Sequence, residues 1–451
     1  WFVGYALFEA GPNHATLARF EAWVIEQQHR TFFDEVLKQI DQAFPEEREK
    51  PQMGDTYAMR ANAASESLTG LLRHACRLLL NTLGQADEHA LALVKDQLDL
   101  TALFGAEDET KEFRLDRSER KERLQQTVIA AAHCLEQVER YLATPPYLAV
   151  DARQAVTFWL HILAKILADE VTIDRNQEGQ ITSAQELPKK KKGSYRIASA
   201  ADPDATFRVH GERIDFGYNV NLAATDTFIR EIRADTGSQP DAVAIPDLLT
   251  AQQTHHDLTP KKFIYDQAAG TGKSHADVEK ATNGQTQLVA PLVDYQQNNQ
   301  RFGPDDFTLA PDGHTLTCPN HELSYTAYRS QSGQGRNFRF SAHQCADCPL
   351  AQLCRSDQVA GHRMRQVFIS DHRSALAKAR TYAQSDECHE DLKLRSTVER
   401  IIANLVRYHG ARYARRRGRI HSDFQAKMNA MAFNIRQWMR LLERQPVISD
   451  P

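Results

Sequence analysis

The chain has 451 residues, of which 41% are hydrophobic and 25% charged, with a formal net charge of -4. That length exceeds most single domains, and the composition is that of a folded globular chain, which excludes a fibrous or disordered protein. The slight negative charge excludes a uniformly basic nucleic-acid binder, so any such surface has to come from local clusters.

The sequence opens at Trp1 in mid-pattern and without a methionine, so residues 1–50 read as a truncated N-terminal helical region of a longer protein. Over 14–44, Leu17, Phe20, Trp23 and Val24, then Phe32, Phe33, Val36, Leu37 and Ile40, recur at helical spacing, and Pro45 closes the run. Residues 64–141 are again helical, with a polar, solvated stretch at 107–122, and Pro145 and Pro146 end them. The apolar stretch 155–168 is interrupted by His161 and Lys165 and falls short of the roughly 20 residues that cross a bilayer, so it reads as a core helix and no membrane is expected. Polar residues 174–193, with Lys189, Lys190, Lys191 and Lys192 in a row, read as loop.

Strands are expected next. Phe216, Tyr218, Val220 and Leu222 alternate with Gly217, Asn219 and Asn221, and a second strand follows at about 227–233. A helix near Ile245–His256 leads to Lys262-Phe263-Ile264-Tyr265-Asp266, a short apolar strand ending in a carboxylate just before Gly270 and Gly272. Residues 301–360 are turn-rich and hold four of the seven cysteines; 372–445 return to helix, the last part built around Phe433, Trp438 and Leu441.

Metal-assisted phosphodiester chemistry needs hard oxygen ligands that hold two divalent ions about 3.5 to 4 Å apart. Three carboxylates have a suitable context: Asp55 in Gly54-Asp55-Thr56, Asp266 at its strand end, and Glu399, which shares a helix face with Arg395 beside the apolar stripe Val398, Ile402 and Leu405. The plain alternatives are a surface pair of Glu399 with Arg395 or Arg400, and Asp174 in place of Asp55, whose flank Gln52-Met53-Gly54 is less apolar than a buried central strand.

Cys345-x2-Cys348-x5-Cys354, with Cys318 upstream, has the count and spacing of a structural zinc site, with His321 or His343 as substitutes for one ligand; Cys76, Cys134 and Cys388 read as ordinary buried cysteines of a reducing cytosol. Gly270-Thr271-Gly272-Lys273-Ser274 invites a phosphate-loop reading, but Gln267 stands where the first glycine belongs and no helix-bearing nucleotide unit is expected to follow, leaving Lys273 as a DNA-phosphate contact. His255-His256-Asp257 reads as a surface feature at a helix end. Arg407, Arg412, Arg415, Arg416, Arg417 and Arg419, with Tyr408 and Tyr413 interleaved, have the form of a phosphate-tracking surface.

The order of several motifs resembles the DDE transposases of bacterial insertion sequences. These are Asp202-Pro203-Asp204-Ala205; Gly211 and the strand Phe216-Gly217-Tyr218-Asn219-Val220-Asn221-Leu222; Asp266 followed by small residues; Cys345-Ala346-Asp347-Cys348-Pro349-Leu350 with Cys354; and Val398-Glu399-Arg400 leading to Tyr408-His409-Gly410-Ala411-Arg412 and Tyr413-Ala414-Arg415-Arg416-Arg417-Gly418. Asn219 and Asn221 stand where that family more usually has a basic residue and a histidine.

The resemblance implies an α/β fold: an RNase H-like mixed sheet flanked by helices, with a helical insertion and a small zinc-binding subdomain. Residues 51–300 would be the catalytic domain with the insertion at about 64–200, residues 301–360 the cysteine-rich zinc-binding insertion, and 361–451 the helices completing the core. It further implies Asp55, Asp266 and Glu399 as a catalytic triad on two Mg²⁺ (or Mn²⁺) ions, and Arg395, the arginine run and Lys273 on DNA. The expected activity is cutting of transposon ends and their joining to target double-stranded DNA by a homo-oligomer in the bacterial cytoplasm, at the nucleoid. The rival expectations are an inactive, transposase-derived DNA-binding protein and a nuclease that cuts without joining.

Overall fold

The computed structural model describes residues 13–144, 148–292, 301–346, 348–354 and 364–444; Trp1 and the Pro145-Pro146 junction lie outside them. The N-terminal helical run is two helices, α1 (His14–Gln28), capped by Asn13, and α2 (Thr31–Ala43), with a break at His29 and Arg30. Phe33, Leu37 and Ile40 of α2 are fully buried at helical spacing, which makes this helix part of the main core.

The strand β1 (Gln52–Arg60) comes next, earlier than the sequence pattern suggested. Before it finds its partners the chain runs through α3 (Leu68–Ala86), α4 (Glu88–Asp96), α5 (Leu100–Phe104), α6 (Arg117–Ala143) and α7 (Val150–Glu170). These helices enclose their own core around Leu72, Ala75, Cys76, Leu79, Ala131, Cys134 and Leu163, and α6 starts from a complete Asp116–Glu119 capping box. None of the helices among the described residues is long and apolar enough to cross a membrane.

The stretch expected as loop is instead a hairpin of β2 (Val171–Arg175) and β3 (Ile181–Glu186). Its strands are half exposed and only Val171 and Ala184 are buried, so little apolar periodicity marks it. Lys192 closes it by pairing with Glu170 and Glu186 at 2.5 and 2.6 Å.

The main sheet gathers β1 with β4 (Thr206–His210), β5 (Arg213–Ala224), β6 (Ile229–Thr236), β7 (Lys262–Ile264) and β8 (Gln287–Val289), while α8 (Ile245–His256) precedes β7 and α9 (Gly272–Ala281) follows it. The first half of β5 pairs with β4 and the second with β6; its other edge pairs antiparallel with β1, from Met53↔Ala224 to Arg60↔Gly217. Beyond β1, β7 and β8 run parallel to it. This is a mixed sheet, consistent with the RNase H-like core that the resemblance implies.

A small unit follows, made of β9 (Thr308–Leu309), β10 (Leu316–Thr317), β11 (Thr326–Arg329), β12 (Gly335–Phe340), α10 (Ala342–Ala346), α11 (Ala351–Cys354) and β13 (Arg365–Ser370), around Phe307, Leu316, Phe338, Phe340, Val367 and Ile369. Its three-stranded sheet takes its last strand from β13, beyond the boundary at 360 suggested by the cysteines. The chain ends in α12 (Arg373–Ala383), α13 (Asp386–Lys393), α14 (Ser396–Tyr408) and α15 (Arg419–Arg444). Val398, Ile401 and Leu405 of α14, with Ala426, Ala430 and Phe433 of α15, cover the sheet face that carries Tyr57, Met59, Val220 and Leu222.

Candidate active site and nucleic-acid surface

Side chains alternate along a strand, so Asp55 shares a face with Met53, Tyr57 and Met59, the face that α14 covers. The parallel register pairs Gln52 with Phe263 and Met53 with Ile264; continued two residues further, it brings Asp55 beside Asp266. The polar look of β1 has physical causes. Gln52 is buried in a reciprocal amide pair with Gln252, 2.9 Å each way, and a Cβ at position 54 would lie 2.5 Å from the Phe263 ring, so Gly54 is what lets β7 lie alongside.

Asp55 accepts from its neighbour Thr56 N–H at 2.7 Å, and Asp266 accepts from Ala268 N–H at 2.9 Å, which caps the turn after β7. Burial pushes the Asp55 carboxyl above its usual range; the Thr56 N–H opposes this, the charge of Asp266 adds to it, Arg395 opposes it and Asp241 adds again. Asp241, which the sequence pattern did not single out, is held by Asn219 at 2.7 Å and by Arg208, which also donates to Thr56 Oγ1. Tyr265 is buried next to this charge, its hydroxyl pKa driven up by burial and by Asp241, Asp55 and Asp266.

Glu399 lies differently. Its side chain is 58% exposed and pairs with Arg395 at 3.5 Å, while Arg395 in turn acts electrostatically on Asp55. Thus Asp55 and Asp266 come together, whereas Glu399 is paired with Arg395 and is not among the charges that shift Asp55. Asp174 lies on β2, in the hairpin of the helical insertion, bonded to Ser183. Among the described residues no three histidine, cysteine or carboxylate side chains form a ready metal cage. The pair Asp55 and Asp266 nevertheless has the chemistry for a hard divalent ion, because the parallel register of β1 and β7 sets two carboxylates, hard oxygen donors, side by side.

Cys318, Cys345 and Cys354 pack against the core of the small unit. Burial raises the Cys354 thiol, Arg365 opposes this, and Cys345, Cys348 and Cys318 raise it further, so the four thiols feel one another, but among the described residues they are not arranged as a group that holds a metal ion. Cys76, Cys134 and Cys388 are buried elsewhere.

The arginine run is fastened to the end of β1: Arg60 N–H donates to Arg412 C=O at 2.9 Å and Ala414 N–H to Arg60 C=O at 2.8 Å. Asp202 accepts from Tyr218 Oη at 2.6 Å and from Gly418 N–H at 3.1 Å, and Asp204 accepts from Arg419 N–H at 2.8 Å. Three of the motifs that carried the resemblance therefore meet where α15 begins. Arg407, Arg415, Arg417 and Arg419 are exposed; Arg412 and Arg416 are half-buried, and Arg416 is neutralised by Glu21 at 2.6 Å. Arg60 lies over the exposed ring of Tyr413, and Arg407 and Arg436 over that of Tyr408. Replacing Arg415, Arg417 and Arg419 together with alanine is expected to weaken duplex binding and to reduce the slope of log affinity against log salt by about 2 to 3, measured by anisotropy across a salt series.

Lys273 is paired with Asp277, one turn along α9. The helix not expected after the glycine-rich loop is present, capped by Thr271, since threonine before Gly272 supplies the acceptor for Ser274 N–H. Asn219 and Asn221 are buried on the opposite sheet face, bonded to Asp241 and Asp235. His256 pairs with Asp34 at 3.1 Å, and Lys189, Lys190 and Lys191 form an exposed turn.

Residues 317–439 match the family model for the transposase DDE domain. The match spans Glu399, Arg395, the arginine run and most of the small cysteine unit, while Asp55 and Asp266 precede it. No curated protein and no solved structure matches the chain.

Proposed function

We propose, on the premise that the chain carries a transposase DDE domain, that it cuts transposon ends and joins them to target DNA by metal-assisted phosphoryl transfer on an RNase H-like core. The observation that carries this reading is the juxtaposition of Asp55 on β1 with Asp266 just past the end of the parallel β7, under α14, which Arg395 precedes and which bears Glu399. Asp55, Asp266 and Glu399 would hold Mg²⁺ or Mn²⁺, ions that activate an attacking oxygen and steady a leaving one when bound. Arg395, released from Glu399, would grip a phosphate of the cut strand. From Asp55 to Arg60 the strand rises about 17 Å, so the arginine run would hold the duplex about five base pairs from the cut. Cys318, Cys345, Cys348 and Cys354 would hold a structural zinc ion, and a homo-oligomer would bring two ends together.

The test is incubation of supercoiled plasmid with the purified chain and Mg²⁺ or Mn²⁺. Nicking that needs the metal and falls about a hundredfold or more in Glu399→Gln, with duplex binding retained, is the expected result. Duplex binding without any cut would leave a DNA-binding protein descended from a transposase. Cutting without joining of labelled 3′ ends would leave a nuclease.

A further inference from the structure

The outer face of the small three-stranded sheet is unlike an ordinary solvated surface. Its register places Tyr328 and Phe368 on either side of Asn337, and Thr326 and Gln366 on either side of Arg339. The one charge on this face is therefore the cation Arg339. Tyr328 and Phe368 are 38% and 40% exposed, although each ring belongs to a residue with fixed neighbours.

Arg339 lies over the Tyr328 ring, 4.7 Å from its centroid, and donates to its hydroxyl at 2.9 Å. Gln366 Oε1 accepts from both Tyr328 Oη and Arg339 Nε, and Gln366 Nε2 donates to Asn337. A Cβ at Gly335 would lie 2.7 Å from the Phe368 ring, so the glycine is what allows that ring to lie down on the sheet.

Flat rings and an arginine plane held by a hydrogen-bond network on an exposed sheet face make a surface on which unpaired bases stack, with the Arg339 cation for a phosphate. We infer that this face is a binding platform for single-stranded DNA, such as bases unpaired beside a cut. Tyr328 and Phe368 lie about 10 Å apart, two strand spacings, and each takes one base. The inference rests on the reading of the chain as DNA-acting, but it concerns a surface separate from the carboxylates and from the arginine run.

The experiment is an anisotropy titration of the full chain with labelled oligothymidylate and, in parallel, with a duplex of the same length. Tyr328→Leu with Phe368→Leu is expected to lower single-strand affinity about tenfold or more while duplex affinity stays within about twofold, and Phe368→Tyr is expected to retain single-strand binding. Both positions are exposed, and an unchanged melting profile checks that the fold persists. Single-strand affinity untouched by the leucine pair, or a wild-type chain that binds duplex alone, overturns the platform and leaves the transposase reading standing. Single-strand binding that depends on the two rings, in a chain that never nicks plasmid, supports the platform and sinks the catalytic reading. Binding of neither oligonucleotide overturns both.

Discussion

Asp266→Asn is expected to lower metal-dependent DNA cleavage by about a thousandfold, roughly 4 kcal/mol of barrier, while leaving the turn after β7 in place. The amide oxygen can still accept from Ala268 N–H, so the change removes charge and little else. A second readout does not depend on turnover. If the two carboxylates hold Mn²⁺, the metal stabilises the wild-type chain by about 2.7 kcal/mol at a hundredfold excess over its Kd, and the variant should lose most of that gain in a melting experiment. Equal metal-induced shifts in both chains would take Asp266 out of the site.

Asp55→Asn carries a prediction of opposite sign in the metal-free protein. The folded-state pKa of Asp55 is raised, so between its usual value and the raised one the folded chain binds more protons than the unfolded chain. Ionised Asp55 therefore penalises the fold in full above the raised pKa, and the penalty fades as the pH falls through that window. The asparagine variant should melt higher than wild type at neutral pH, with the difference shrinking in acid. A variant that melts lower at every pH would rule out charge burial as the dominant effect at this position.

Gly217→Val is expected to cost about 3 to 5 kcal/mol, more than a surface substitution could. Gly217 has φ +153, and a Cβ there would stand 2.2 Å from Met59 C=O and 2.6 Å from Ala61 N. These are backbone atoms of β1 and its continuation, so no rotamer change relieves the clash, and the strand holding Asp55 would have to move. Urea unfolding should show a lower midpoint at an unchanged slope. A midpoint within experimental error of wild type would mean that β1 and β5 do not approach as closely as described.

The sequence announces some of these elements and hides others for identifiable reasons. β5 and β7 are legible because their apolar residues alternate or run together and end at turn residues, and α14 because Val398, Ile402 and Leu405 repeat at helical spacing. β1 is harder to see because two of its positions serve neighbours: Gln52 completes a buried amide pair and Gly54 makes way for Phe263. The β2–β3 hairpin hides because it buries too little to impose a pattern. Within the site, Asp266 can be found from its strand and following turn, whereas Asp241 and Arg208 reach it only through tertiary folding and leave no local signal. Glu399 is legible as a helix position, but its pairing with Arg395 depends on rotamers that spacing does not dictate.

The insertion of α3 to α7 between β1 and its partner β5 also sets the timing of the protein's birth. About 160 residues separate residues that pair across β1 and β5, so the central strand emerges from the ribosome with neither neighbour yet made. At ordinary synthesis rates that gap lasts roughly 8 to 30 s, ample time for a helical bundle with mostly local contacts to close. β1 meanwhile stays a segment with unsatisfied backbone on both edges, and the two halves of the candidate site cannot meet until β7 follows. Nascent chains of this protein should thus be chaperone clients held through β1, with the bundle already protease-resistant while the main sheet is still unmade.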